Sequence, residues 1–278
     1  MKRYGKIIAL LLVFFAAVAA DLYIEGNVPK LVVQRLETDK LQERESFRVL
    51  QLGDLHSKWF GKGNNRLFAL VVKANPDAIV CTGDVVDSMA DEDIFGYSSA
   101  FFEGLLSFGK PVFYVPGNHE PWHVWEKLQK QAERQGVRVL ANRNETVRPP
   151  VSEITFCGIE DFNTKYYDIN AALEGTDSRR YTILLSHTPM AAEQVPDGKA
   201  DLILSGHTHG GQIGLPFVSD RLMREKDSKY KKGFYRIGKN LLYVDSGLGM
   251  TRIPLRFLNR SQMTLFEIRG TGSPKGRE

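Results

Sequence analysis

Residues 206–211 read Gly-His-Thr-His-Gly-Gly and stand directly behind the apolar run 200–205, Ala-Asp-Leu-Ile-Leu-Ser. A short run of Leu and Ile closed by glycine reads as a buried strand. The flanking glycines let the backbone turn sharply and come close to a ligand. Two of the chain's six histidines lie here, one residue apart. Alone, the stretch fits a solvated turn equally well, so its reading depends on how the other apolar runs end.

Those runs end alike. FRVLQL (47–52) opens into Gly53-Asp54-Leu55-His56, and DAIVCT (77–82) into Gly83-Asp84. PVFYVP (111–116) opens into Gly117-Asn118-His119-Glu120, and YTILLS (181–186) into His187. With His207 and His209, five strand-like runs each release Asp, Asn or His at the carboxyl end, where open α/β sheets gather their ligand sites. A Gly-Asp after a strand is by itself an ordinary turn, and the inference rests on the ordered set. The sixth histidine, His123 in PWHVWEK, reads as a helix-face residue.

Between these runs lie helix-like segments: RLFALVVKAN, DIFGYSSAFFEGLLSF and VWEKLQKQAERQG. Further strand-like runs follow in ITFCGI, LLYVDS and MTLFEI. The alternation predicts an α/β fold with mostly buried strands. The density of strands after residue 150 predicts more than one sheet. Residues 47–268 are read as one domain and 25–46 as a linker or cover segment, in which LVVQRLE fits an edge strand. The tail 269–278, rich in glycine and charge, is read as disordered.

A chain of 278 residues with 42% hydrophobic and 25% charged residues has material for one large α/β domain or two small ones. The net charge of +4 suits anionic substrates or an anionic membrane surface. No long basic run is interleaved with aromatics, so no nucleic-acid partner is expected. Cys81 and Cys157 lie inside strand-like runs and read as buried residues; without a CxxC motif, a zinc ribbon and a thioredoxin-type site are excluded.

Residues 1–24 begin with Lys2, Arg3 and Lys6 and continue as the apolar run IIALLLVFFAAVAA. This is the pattern of a signal peptide or an uncleaved membrane anchor. The basic residues before it favour a cytoplasmic N-terminus, with the following domain outside the cytoplasmic membrane, or secreted if the segment is cleaved.

The donor types at the strand ends suit Mn²⁺, Fe or Zn²⁺, with no cysteine competing. Two cations about 3.5–4 Å apart can clamp the attacking and leaving oxygens of a phosphoryl transfer. More donors than a closed structural site needs, with room left for water, is the pattern of a catalytic one.

In their order, GDLH, TGD, GNHE, SHTP and GHTHGGQ resemble the calcineurin-like metallophosphoesterases, over about residues 47–268. The later YVDSGLG and the N-terminal segment are most similar to a membrane-associated bacterial branch of that family. The resemblance implies a four-layer α/β/β/α sandwich and two divalent metal ions. It implies that Asp54, His56 and His209 hold one ion, that Asn118, His187 and His207 hold the other, and that Asp84 bridges them. It further implies attack on phosphorus by a water of lowered pKa. His119 then contacts the phosphate and protonates the leaving oxygen, and Asp87 is expected to orient that histidine. Many relatives carry Asp where this chain has Glu120.

The expected substrate is a phosphodiester or phosphomonoester, lipid-linked or borne by the envelope. An alternative is pyrophosphate cleavage of a nucleotide-linked lipid precursor such as a UDP-acylglucosamine. The basic segment 221–236 is either a solvated loop or a surface for phosphate or lipid headgroups. Arg252 and Arg256 are candidates to face the site. A non-catalytic, membrane-tethered metal-binding module is a further reading, against which the complete ligand set and His119 weigh. The metallo-β-lactamase pattern H-x-H-x-D-H is not met, since Gly210-Gly211-Gln212 follows the histidines, and no G-x-S-x-G supports a serine hydrolase. Oligomeric state is not legible in the sequence.

Overall fold

The computed structural model describes residues 2–87, 93–120, 122–148, 152–222, 229–251 and 254–272. The chain begins with helix α1 (Lys2–Asn27), whose apolar part is exposed, and passes into strand β1 (Lys30–Gln42). Then follow β2 (Ser46–Leu52), α2 (Asn65–Ala74), β3 (Ala78–Cys81), α3 (Ile94–Leu106), β4 (Val112–Tyr114), α4 (Trp122–Gln135) and β5 (Arg138–Val139). The second half contains β6 (Arg143–Val147), β7 (Ile154–Gly158), α5 (Ile169–Leu173), β8 (Tyr181–Leu185), β9 (Leu202–Ser205), α6 (Pro216–Leu222), β10 (Gly233–Ile237), β11 (Asn240–Val244) and β12 (Gln262–Gly272).

These strands form two six-stranded sheets, ordered β1-β12-β2-β3-β4-β5 and β10-β11-β9-β8-β7-β6. In the first, β2 to β5 are parallel, while β12 runs antiparallel to β2 and parallel to β1. In the second, β7, β8, β9 and β11 are parallel, with β6 and β10 antiparallel at the two edges.

Period-two alternation sends each strand's side chains to two different cores. From β2, Phe47 and Val49 pack between the sheets against Phe156, Ile183 and Leu204. Leu50 and Leu52 from the same strand pack outward against α2, α3 and α4, through Leu67, Phe102 and Leu128. On the far side, Leu184, Ile203 and Leu242 meet Ile169 and Ala172 of α5. The result is the four-layer α/β/β/α sandwich. Gln51 lies buried between the sheets, and its Nε2 donates to the Ser205 carbonyl at 2.9 Å, joining the ends of β2 and β9.

Cys81 and Cys157 are buried thiols in β3 and β7. The 25–46 segment is mostly strand: β1 is an edge strand held by its parallel pairing with β12. The same pairing carries β12 past residue 268. Strand β12 continues to Gly272, whose carbonyl accepts the Glu43 N–H at 2.8 Å; residues 273–278 lie outside the described residues. The basic segment 221–236 contributes β10, while its residues 223–228 lie outside the described set.

Candidate metal centre

The carboxyl ends of β2, β3, β4, β8 and β9 converge where the two sheets open. The turns there are tight: Asp54, His56, Asp84, His207 and His209 have φ of 52°, 50°, 50°, 71° and 51°. Non-glycine residues rarely adopt this region, and where they do the surrounding structure holds them there. Here Asp54 N–H donates to the Gly83 carbonyl and His56 N–H to the Asp84 carbonyl, each at 3.0 Å. The glycines of the motifs make room for the carboxylates. A Cβ on Gly206 would stand 2.4 Å from Asp54 Oδ2, and one on Gly117 would stand 2.2 Å from Asp84 Oδ1.

All seven expected ligands gather in this region. His56 Nε2 and His209 Nε2 lie 3.0 Å apart, and His209 Nε2 is 3.5 Å from Asp54 Oδ1. In the neighbouring group, His187 Nε2 lies 3.2 Å from Asn118 Oδ1, 3.2 Å from His207 Nδ1 and 3.1 Å from Asp84 Oδ2. Asp84 Oδ2 is also 3.6 Å from His56 Nε2, so this carboxylate touches both groups. The Thr82 carbonyl, 2.9 Å from His187 Nδ1, can only accept. It therefore takes the Nδ1 proton in a hydrogen bond and leaves Nε2 directed at Asp84 and Asn118.

The donor set fits cations. Asp54 Oδ2 is buried with no hydrogen-bond partner, and an anionic oxygen out of water demands a counter-charge. Ring nitrogens 3.0 Å apart need a proton or a cation between them. Burial pushes the Asp54 carboxyl up to about 6 and the His56 imidazole down to about 4. Burial, with His56 beside it, also holds His209 well below the usual histidine range. Burial disfavours the Asp84 charge, but His187, His56 and His119 together outweigh it and keep the carboxyl well below its ordinary range. Burial likewise disfavours the His187 charge, but Asp84, with Asp54 and Asp161 beyond it, outweighs that and holds the imidazole well above the usual histidine range. The neutral imidazoles of His56 and His209 beside carboxylates are in the protonation state that divalent metals bind, and a cation beside Asp84 would displace the proton that His187 holds.

His119 and Asp87 stand at the edge of the same cluster. The His119 N–H donates to Asp84 Oδ1 at 2.8 Å, and its Nδ1 is 3.2 Å from Asp87 Oδ1. Its ring meets that of His56 edge to face, with centroids 4.5 Å apart. His123 is exposed on α4.

Two residues have roles that the sequence motifs do not reveal. Glu120 accepts four backbone N–H groups: Asp84 and Gly117 on Oε2, at 2.9 and 2.7 Å, and Val85 and Val86 on Oε1, at 2.6 and 3.1 Å. It therefore sets the loops after β3 and β4 together. Arg256, a candidate to face the site, is fully buried behind it. Its Nη2 donates to the carbonyls of Ser246 and Gly249, each at 2.7 Å, and lies 3.4 Å from His209 Nδ1. Arg252 lies outside the described residues.

Comparison with known proteins agrees with this geometry. The profile of the calcineurin-like phosphoesterase family matches residues 47–211. An uncharacterized metallophosphoesterase of Bacillus subtilis, YkuE, is 33% identical over 235 residues, covering 82% of this chain and 80% of its own length. Phosphodiesterase YaeI of Escherichia coli is 29% identical over 259 residues, 88% of this chain and 90% of its own. A transmembrane protein with a metallophosphoesterase domain from Danio rerio is 30% identical over 256 residues, 85% of this chain and 56% of its own.

Proposed function

The chain belongs to the calcineurin-like phosphoesterase family, and from that premise we propose a dinuclear, metal-dependent phosphoesterase that prefers diesters and acts on a membrane-borne or envelope substrate. Family membership makes it a hydrolase of phosphoric esters. The reading of two metals is carried by Asp84, whose Oδ2 lies within 3.6 Å of His56 Nε2 and 3.1 Å of His187 Nε2, within reach of both ligand groups. Asp54, His56 and His209 would hold one cation, and Asn118, His187 and His207 would hold the second. Mn²⁺, Fe and Zn²⁺ all suit these donors. When bound, the two cations supply an activated water and neutralise charge on the phosphoryl oxygens.

The remaining steps fall to the protein. His119, fixed through its backbone to Asp84, contacts the phosphate and gives a proton to the leaving oxygen. Asp87 holds the ring of His119 in position as a positioning residue. The preference for diesters is supported by the name of the YaeI relative. Helix α1 is long and apolar enough to cross a membrane over Tyr4–Asn27, and we read it as an anchor that leaves the domain outside the cytoplasm.

The test uses the full chain in detergent, loaded with Mn²⁺, on bis(p-nitrophenyl) phosphate and p-nitrophenyl phosphate, with bound metal counted by mass spectrometry. Two ions per chain and faster diester turnover are expected, with both metal content and turnover falling in Asp84→Asn. One ion per chain at full activity would overturn the dinuclear reading, and faster monoester turnover would overturn the diester preference.

A further inference from the structure

Leu258 is an exposed leucine at φ +52°, a backbone conformation that a branched apolar side chain rarely accepts. It opens a four-residue stretch, 258–261, that touches both the metal site and the end of α1. The next residue, Asn259, donates Nδ2 to the carbonyl of the metal-ligand candidate His209 at 2.7 Å. The two after it hold the end of α1: Arg260 Nε donates to the Val28 carbonyl at 2.5 Å, and Ser261 N–H to the Glu25 carbonyl at 2.8 Å. The end of an apolar helix and a metal ligand are thus joined through one short loop, whose remaining side chain is an apolar one turned to solvent.

A second segment extends this surface. Directly after His209, the chain pairs back on the same loop, with Gly214 N–H donating to the Phe257 carbonyl at 2.7 Å. It then enters α6, where Phe217 is 87% exposed and Leu215 and Val218 are exposed beside it. Scattered exposed apolar residues are ordinary, but four on two adjoining segments beside a functional site mark a contact surface. Basic groups ring the helix end: Lys58 Nζ donates to the Gly26 carbonyl at 2.6 Å and Arg66 Nη1 to that of Asn27 at 3.3 Å. An apolar helix, a basic collar and an apolar rim in continuity match the profile of a bilayer, from hydrocarbon through anionic headgroups.

We propose that Leu215, Phe217, Val218 and Leu258 form a rim that inserts into the bilayer surface, setting the metal centre against the headgroup layer, where an amphiphilic phosphate ester would present its phosphate. This rests on reading α1 as an inserted anchor. The rim fixes how the domain sits on the membrane, which an anchor alone leaves free.

The test is spin labelling of the full chain reconstituted in vesicles of phosphatidylcholine with a minor fraction of phosphatidylglycerol. Single variants Phe14→Cys, Phe217→Cys, Leu258→Cys and Arg179→Cys are labelled; the two native thiols are buried and stay unlabelled. Each variant is first required to turn over bis(p-nitrophenyl) phosphate at the wild-type rate, so that its fold is intact. The ratio of oxygen to water-soluble nickel accessibility is expected to exceed one at 14, 217 and 258. It is expected to fall below one at Arg179, which precedes β8 at the end of the sheet remote from His187. A ratio above one at 14 but below one at 217 and 258 would overturn the rim and leave the anchor standing. A ratio below one at 14 would overturn the anchor and the rim with it.

Discussion

Glu120 Oε2 accepts the backbone N–H of Asp84 at 2.9 Å, so the carboxylate shared by both ligand groups is held from behind by a second, fully buried carboxylate. Two like charges this close are costly, and burial with Asp84 beside it pushes the Glu120 carboxyl up to about 7. The four N–H donors around it are what keep this arrangement in place. In Glu120→Gln, an NH₂ group would face two of those donors. The expected cost is about 2–4 kcal/mol, read as a fall in Tm of about 4–16 °C, together with weaker Mn²⁺ binding in titration calorimetry. A variant matching the wild type in both would mean that the loops after β3 and β4 are set by other contacts.

The strand-end donors were legible because each follows an apolar run directly, so local pattern and fold position coincide. Glu120 stood in a recognisable motif, but its role depends on N–H groups of Asp84, Val85 and Val86, more than thirty residues away, which no side-chain pattern encodes. Arg256 is a similar case: a cation near a phosphate site looks like a candidate substrate contact, whereas the carbonyls that take up its guanidinium are invisible in sequence. Strand β6, Arg-Asn-Glu-Thr-Val, shows no apolar alternation and exists through its antiparallel pairing with β7. Strand β5, at two residues, is too short for any period to register.

His119 is expected to matter in proportion to how much the leaving group needs a proton. His119→Asn should lower kcat by roughly 10²–10⁴ for a phenyl leaving group and much less for p-nitrophenolate, which departs without assistance. Metal content should stay at the wild-type level. Equal losses for both leaving groups would assign His119 to phosphate binding and remove it as the acid.

Metal affinity should weaken as pH falls below about 6. The Asp54 carboxyl is raised to about 6 by burial, so below that pH a proton competes with the cation for its oxygen. His56, lowered by burial to about 4, is already neutral and adds little competition until the pH is much lower. The apparent Kd for Mn²⁺ at the position that includes Asp54 should therefore rise about tenfold per pH unit below 6, one proton being displaced from that carboxyl. The position that includes His187, whose imidazole Asp84 holds well above the usual range against burial, meets proton competition at higher pH. Competition with a chromogenic chelator at several pH values checks this. An affinity unchanged between pH 7 and 5 would remove Asp54 from the ligand set.

Arg256 should act on stability and on one metal position together. Its guanidinium satisfies the carbonyls of Ser246, Gly249 and Asn259 in a fully buried position, and the same group lies 3.4 Å from His209 Nδ1. A lysine carries the charge but not the planar fork, so Arg256→Lys leaves buried carbonyls unpaired. The expected loss is about 3–5 kcal/mol, with Tm falling by roughly 6–20 °C. The turn carrying His209 should loosen with it. At a temperature where the variant is still folded by circular dichroism, bound metal should fall from two ions towards one, because the ligand candidate that Arg256 touches is His209. A variant that loses stability but keeps both ions would confine Arg256 to the packing of the 246–249 loop and separate it from His209.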